Sequence, residues 1–340
     1  MFKITAPKTW NSSQHYLEAL SSVWYKSLFK IQDCFQFNSC LFFRDRYLRH
    51  ISLPITTNSI SSPMGLGSDS LPVKVNLFGI DTFLSDSMQF MLEYGCRYNP
   101  TGCYYIMPSF RGDSDDSTHL SQFYHAEAEV HGSLEDVMVL VERYLKFICS
   151  SLLDECASEI SSIAGSLSHI ENFVKADSPI STISFDEAVN LLSSEPENFK
   201  YIEAEDQVLK SLSRLGEQNL IKMFHGFVWV REFDHLLVPF YQAFSENAGK
   251  SKSADLLFGI GEVVGAGERH VNGGLVREAL ELHQTDVDSY DWYCKLKDVF
   301  PMKTSGFGMG TERFYCWLLN HHDVRDCQLL PRFNGVLTIP

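Results

Sequence analysis

Long apolar runs are missing from this chain of 340 residues. The longest, such as Val137–Val141, fall far short of the ~18 residues a membrane-crossing helix needs. No apolar segment follows Met1-Phe2-Lys3-Ile4-Thr5-Ala6-Pro7, so a secretory signal peptide is not expected. The nine cysteines include no C-x-x-C pair, and no Cys/His cluster has zinc spacing. They read as reduced, mostly buried thiols of a cytoplasmic protein rather than a disulfide framework. No run of Lys or Arg occurs anywhere, which excludes the basic stripe of a strong, autonomous nucleic-acid binder. Internal repeats are also lacking.

What is present is ordinary globular composition, 44% hydrophobic and 21% charged, enough for a full core. The net charge of −15 is unevenly spread. Residues 151–220 hold 13 acids and 4 bases, and residues 1–60 hold 3 acids and 7 bases.

Periodicity divides the chain into short strands with helices between them. A helix is expected over 12–30, and a helix end runs into a strand that Pro54 stops. Residues 58–72, rich in Ser, Pro and Gly, read as a loop. Strands are expected within 73–110 and over 121–130. Ser133 is an N-cap with Asp136 in the first turn, opening a helix whose apolar stripe runs from Val137 to Leu152. The acidic stretch 154–220 reads as helical and peripheral. Further strands are expected at Phe227–Val230, Leu236–Phe244 and Leu256–Gly267, with helices at 273–283 and 314–320. This order, antiparallel strands with inserted helices, favours an α+β fold over a doubly wound sheet.

Three constellations could carry chemistry. Gly306-x-Gly308-x-Gly310 has no P-loop lysine and fits G-x-G-x-x-G poorly. Glycines at alternate strand positions instead clear one face, where a flat ring could lie against the backbone with Arg313 stacked on it. A plain packed strand is the competing reading. Ser109-Phe110-Arg111-Gly112-Asp113, a polar loop, then Thr118-His119 and Phe123 suit a phosphate clamp, although Arg111 alone could be a surface ion-pair residue. Asp255 and Glu262, on a strand-turn-strand, could hold Mg²⁺ through oxygen ligands, with Arg269 reading a substrate carboxylate. Two merely exposed acids are the alternative.

Together and in this order, the three resemble the catalytic core of class II aminoacyl-tRNA synthetases, most closely the aspartyl/asparaginyl branch. Phe42-Phe43-Arg44-Asp45-Arg46 through Pro54-Ile55-Thr56 resembles motif 1. Phe110-Arg111-Gly112-Asp113 with His119-Leu120 and Phe123 resembles motif 2, and Gly306 to Phe314 resembles motif 3. Gly259-Ile260-Gly261-Glu262-Val263-Val264-Gly265 is similar to the asparaginyl pattern, and Asp323-Val324-Arg325-Asp326 with Pro331-Arg332 to the C-terminal signature.

The resemblance implies one catalytic domain over 1–340, an antiparallel sheet flanked by helices, with 151–220 as a helical insertion. Motif 1 starts near residue 42, so no N-terminal anticodon-binding OB domain is expected. ATP and Mg²⁺ are the implied cofactors. Arg111 and Arg313 are the implied catalytic residues, and Arg111, Asp113, His119, Phe123, Gly310 and Arg313 the ATP-binding set. Asp255 and Glu262 would hold the metal, and Ser87, Gln89, Glu127 and Arg269 the amino acid. Residues 42–57 would form a homodimer interface.

Departures from the pattern include Asp113 for a longer acid, Thr118 for an arginine, Pro239 near a lysine position, and Gly265-Ala266-Gly267-Glu268 before Arg269. The missing OB domain and the acidic balance point to a stand-alone AMP-forming ligase resembling asparagine synthetase. It would adenylate aspartate or a related, asparagine-like amino acid and pass the acyl group to ammonia or a small amine, with tRNA an unlikely partner and no membrane. The alternatives are aminoacylation of a tRNA or other carrier, and a non-catalytic regulatory protein on the same fold.

Overall fold

Alternation along one strand sets the architecture. In Gln122–His131, Ala126 and Ala128 are buried in the main apolar core, while His125, Glu127 and Glu129 lie on the opposite face. The computed structural model describes residues 3–61, 66, 70–204 and 207–338. Around that strand runs an eight-stranded sheet, ordered Arg49–His50, Cys103–Phe110, Gln122–His131, Thr304–Gly310, Gly261–Glu268, Ser253–Phe258, Phe227–Arg231 and Thr182–Ser184. Only the two outermost pairings are parallel. The α+β expectation is therefore met.

Two long helices, Val23–Asp45 and Leu134–Ala164, cover the core face. The second starts at a capping box: Ser133 accepts from the Asp136 backbone N–H, and the Asp136 carboxylate accepts from that of Ser133. Phe43 stacks on Tyr104 of the sheet with centroids 4.5 Å apart. Each such ring contributes roughly 1.5–3 kcal/mol through burial. The opposite face of the sheet is left for polar groups. All nine cysteines are free, and all but the half-buried Cys40 are buried. No described helix is long and apolar enough to cross a membrane.

Several expectations need correction. The N-terminal helix is two helices, His15–Ser21 and Val23–Asp45, because Ser22 adopts an extended conformation between them. The strand expected at Leu236–Phe244 is a single 3-10 turn, His235–Leu237, followed by isolated bridges. Apolar residues there pack into two separate cores instead of alternating across a sheet: Val238 joins one, Phe240 and Tyr241 the other. The 151–220 segment is not wholly helical. It holds the Ser168–Lys175, Phe185–Leu192 and Arg214–Met223 helices, but also the hairpin Phe199–Ala204/Gln207–Leu212 and a strand, Thr182–Ser184, that completes the main sheet. Most of the hairpin's side chains are exposed or half-buried while Phe199, Leu209 and Leu212 are buried, a pattern that looks like a solvated helix when only charge is read. Of residues 42–57, Phe42 and Phe43 are fully buried within the chain, so only their exposed neighbours could meet a partner.

Candidate active site

Three strands build the floor of the polar face. Gly306, Gly308 and Gly310 pair in register with Glu129, Glu127 and His125 on one side. On the other side Gly308 and Gly306 pair with Gly265 and Gly267. Side chains opposite one another share a face, so a glycine stripe runs beneath a row of polar groups. The sequence reading of a cleared face holds at Gly308 and Gly310, which line an open cavity of about 230 Å³. At Gly306 the cleared volume is filled by the Glu129 carboxylate, not left to a ligand.

That cavity gathers most of the residues named from the motifs: Arg111, Asp113, His119, Phe123, Glu262, Gly310 and Arg313. Arg111 emerges from the end of the Cys103–Phe110 strand, its backbone N–H donating to Ser121 at 2.9 Å across the loop. Its guanidinium lies 5.4 Å from the centre of the Phe123 ring, and its buried Nε has no hydrogen-bond partner among the described residues. Asp113 accepts from the Leu71 N–H at 2.6 Å, tethering the loop. Arg313 follows the glycine strand, its Nη1 donating to the Glu262 carbonyl at 2.6 Å and its Nε to the Thr118 carbonyl at 3.4 Å. The motif 2 loop and the Glu262 strand are thus joined through one side chain.

Asp255 and Glu262 converge over Gly265. A Cβ placed on that glycine would stand 3.3 Å from Glu262 Oε1 and 3.7 Å from Asp255 Oδ1. A third carboxylate, Glu217, accepts from the Glu262 backbone N–H at 3.2 Å. Burial, then the charges of Glu262 and Glu217, push Asp255 well above the usual carboxylate range. Burial and Glu262 push Glu217 up to about 7. Three acids held this close call for a positive charge among them, which fits a divalent cation. Among the described residues, however, no group of three or more His, Cys, Asp or Glu side chains is arranged to hold one. Two carboxylates completed by water and phosphate oxygens is the usual Mg²⁺ pattern.

The residues assigned to the amino acid lie apart from this cavity, deeper in the sheet. Ser87 donates to Glu127 at 2.7 Å, and Tyr105 and His125 also hold that carboxylate. Burial opposes its charge, but these partners win and keep Glu127 below the usual range. Gln89 opens a helix, Gln89–Cys96, and its amide reaches Glu93 at 3.5 Å. Arg269 is buried over the Tyr241 ring. Its Nε and Nη2 grip Glu129 at 3.1–3.3 Å, and its Nη1 donates to Gln242 Oε1 at 2.9 Å. With three of its five N–H groups so engaged, two remain to meet a ligand.

Glu129, Gln242, Glu217 and His125 were given no role by the motif reading. The first and last were accessible: His125, Glu127 and Glu129 alternate along one strand, with an alanine between each and the next. Gln242 and Glu217 lie outside any motif, and only packing brings them to the site.

Comparison with known proteins follows the same line. The family model described as tRNA synthetases class II (D, K and N) matches residues 12–334. The asparagine--tRNA ligase of Acholeplasma laidlawii is 28% identical over 288 residues, covering 82% of this chain and 61% of that protein. A probable cytoplasmic asparagine--tRNA ligase of Encephalitozoon cuniculi is 29% identical over 297 residues, covering 85% and 64%. The chain thus spans under two thirds of these relatives' own length. Solved structures of asparaginyl-tRNA synthetases from Pyrococcus horikoshii and Entamoeba histolytica, both in complex with asparaginyl-adenylate, share the fold. Their TM-scores are 0.85 and 0.82, at 22% and 19% identity, over 98% of this chain and 74% and 73% of theirs.

These relatives overturn the expectation of ammonia or an amine as partner and of tRNA as an unlikely one. The net charge of 151–220 is a poor guide here, because a sum ignores where each charge goes. Glu159, Glu171 and Asp186 pair with Lys30, Lys175 and Lys250, Glu187 caps a helix, and Glu217 is turned inward. On a match running from residue 12 to residue 334, this chain belongs to the class II tRNA synthetases of the D, K and N group.

Proposed function

We propose that the chain activates asparagine with ATP as an aminoacyl adenylate and transfers the asparaginyl group to a tRNA. The observation that carries this reading is the buried Nε of Arg111, which has no hydrogen-bond partner among the described residues, in a cavity it shares with His119, Phe123 and Arg313. A buried donor left free is costly unless an acceptor arrives to meet it. In the first step an α-carboxylate oxygen of asparagine attacks the α-phosphorus, and pyrophosphate leaves in line. Arg111 stabilises the charge building on the α-phosphate oxygens, while Phe123 and Arg313 enclose the adenine over Gly308 and Gly310. In the second step a terminal ribose hydroxyl of the tRNA attacks the acyl carbon and AMP leaves.

Asp255 and Glu262 would hold Mg²⁺, which supplies neutralisation of the phosphates when bound. No protein nucleophile is required.

The charge balance around Arg269 supports asparagine over aspartate. Glu129 matches the arginine, and Glu127 adds a further carboxylate on the same strand face. A neutral side-chain amide can accept from Arg269, whereas a second carboxylate would enter a site already net negative. A cytoplasmic homodimer is part of the proposal. Phe29 and Phe37 of the Val23–Asp45 helix are 64% and 61% exposed, with Tyr47 and Ile55 exposed nearby in sequence, an apolar surface suited to a second copy.

The test is amino-acid-dependent exchange of pyrophosphate into ATP across a panel of amino acids, followed by charging of bulk tRNA. Exchange with asparagine and accumulation of asparaginyl-tRNA are expected. Exchange with no amino acid, or exchange without any charging of tRNA, would overturn the activation or the transfer step respectively.

A further inference from the structure

The cation supply of the nucleotide cavity is thin. Of its two arginines, Arg313 has committed Nη1 and Nε to the carbonyls of Glu262 and Thr118. Asp255, Glu262 and Glu217 meanwhile crowd the neighbouring wall. Arg111 suffices for one phosphate, but a triphosphate carries further charge beyond it.

One more cation reaches the rim, and it comes from outside the motifs. Arg214 is the first residue of the Arg214–Met223 helix, whose N-cap Ser213 accepts from the Gly216 N–H. Its Nη1 donates to Thr118 Oγ1 at 3.0 Å. Thr118 and His119 both line the cavity, and their rim is fixed by a single carboxylate. Asp116 Oδ1 accepts from the Thr118 N–H at 2.6 Å, the Thr118 hydroxyl at 2.8 Å and the His119 N–H at 2.9 Å. Arg214 is therefore held to a rigid edge by one N–H. Among the described residues no other hydrogen bond or ion pair engages its guanidinium, and the residue is exposed.

We propose that Arg214 is a ligand of the terminal phosphates of ATP, so that the 151–220 segment completes the nucleotide site. This rests on the cavity being the ATP site. Arginine suits the task because its fork can keep one N–H on Thr118 while others bridge phosphate oxygens. A ligand at that end of the chain separates ATP from AMP, which stops at Arg111.

The experiment is a binding titration of ATP and of AMP with the full chain in Mg²⁺-containing buffer, comparing wild type, Arg214→Ala and Arg214→Lys. Arg214→Ala should weaken ATP about 10-fold, the loss of one charge-assisted contact, and change AMP by less than about 2-fold. Arg214→Lys should recover part of the ATP affinity, and the melting temperature should stay unchanged at this exposed position. Equal ATP affinity in wild type and Arg214→Ala, or equal losses for ATP and AMP, would overturn the inference while leaving the site reading intact. Failure of the wild type to bind either nucleotide would overturn the site reading itself, and this inference with it.

Discussion

The Glu129 carboxylate occupies the volume that a side chain on Gly306 would need. The two residues face each other in register across adjacent strands, and a Cβ on Gly306 would stand 1.8 Å from Glu129 Oε2 and 2.7 Å from the Ala128 carbonyl. Gly306→Ala must therefore push Glu129 off Arg269 or part the strands. A loss of roughly 1–3 kcal/mol is expected in chemical denaturation, the usual range for overpacking. Gly310→Ala, whose Cβ would come no closer than 3.8 Å to Arg313, should keep its stability within about 0.5 kcal/mol.

The Glu129–Arg269 pair makes a pH prediction. Burial, against the pull of Arg269 and with the charge of Glu93 added, raises Glu129 to about 7 from an ordinary 4.5. A carboxyl raised in the folded state binds its proton more tightly there than in the unfolded chain. Its contribution to stability is full below 4.5 and is lost as pH climbs through about 7. Glu129→Gln should flatten the stability profile in that window, read by denaturant titration at several pH values.

Removing the Arg111 guanidinium should cost about 10²-fold or more in the rate of adenylate formation, since it acts on charge that develops in the transition state. Pre-steady-state release of pyrophosphate measures this directly. A change in the affinity for asparagine alone would contradict the role.

Asp255→Asn and Glu262→Gln should each shift the Mg²⁺ concentration needed for half-maximal exchange upward, by about 10-fold for a lost oxygen ligand. The same variants should be more stable than wild type without Mg²⁺, because each relieves repulsion among Asp255, Glu262 and Glu217. Thermal melts with and without the cation separate the two effects.

Assembly is open to light scattering at micromolar concentration. The exposed Phe29 and Phe37 should be covered in a dimer. Phe29→Asp with Phe37→Asp should yield a monomer with an unchanged far-ultraviolet circular dichroism spectrum, because neither ring supports the intrachain core. A wild-type monomer would rule out the interface.

Local pattern was enough for much of this protein. The glycine alternation at 306–310, the Ser133 cap with Asp136, and the strand-turn-strand carrying Asp255 and Glu262 all lie where their periodicity places them. Each depends on residues a few positions apart, so neighbouring sequence contains the information. The ordered motifs likewise specified the α+β sheet and gathered Arg111, His119, Phe123, Glu262 and Arg313 into one cavity.

What pairs with what across the sheet was a different matter. Arg269 meets Glu129, 140 residues away, and Gln242 beside it. Arg214 arrives at Thr118 from an acidic segment that reads as helical and peripheral in the sequence. The same segment folds partly into a hairpin and adds a strand to the main sheet. These contacts follow from register and from the packing of helices onto the sheet, where a shift of one residue turns each side chain to the other face. Composition counts charges without direction, and direction is conferred only when distant strands and helices lock together.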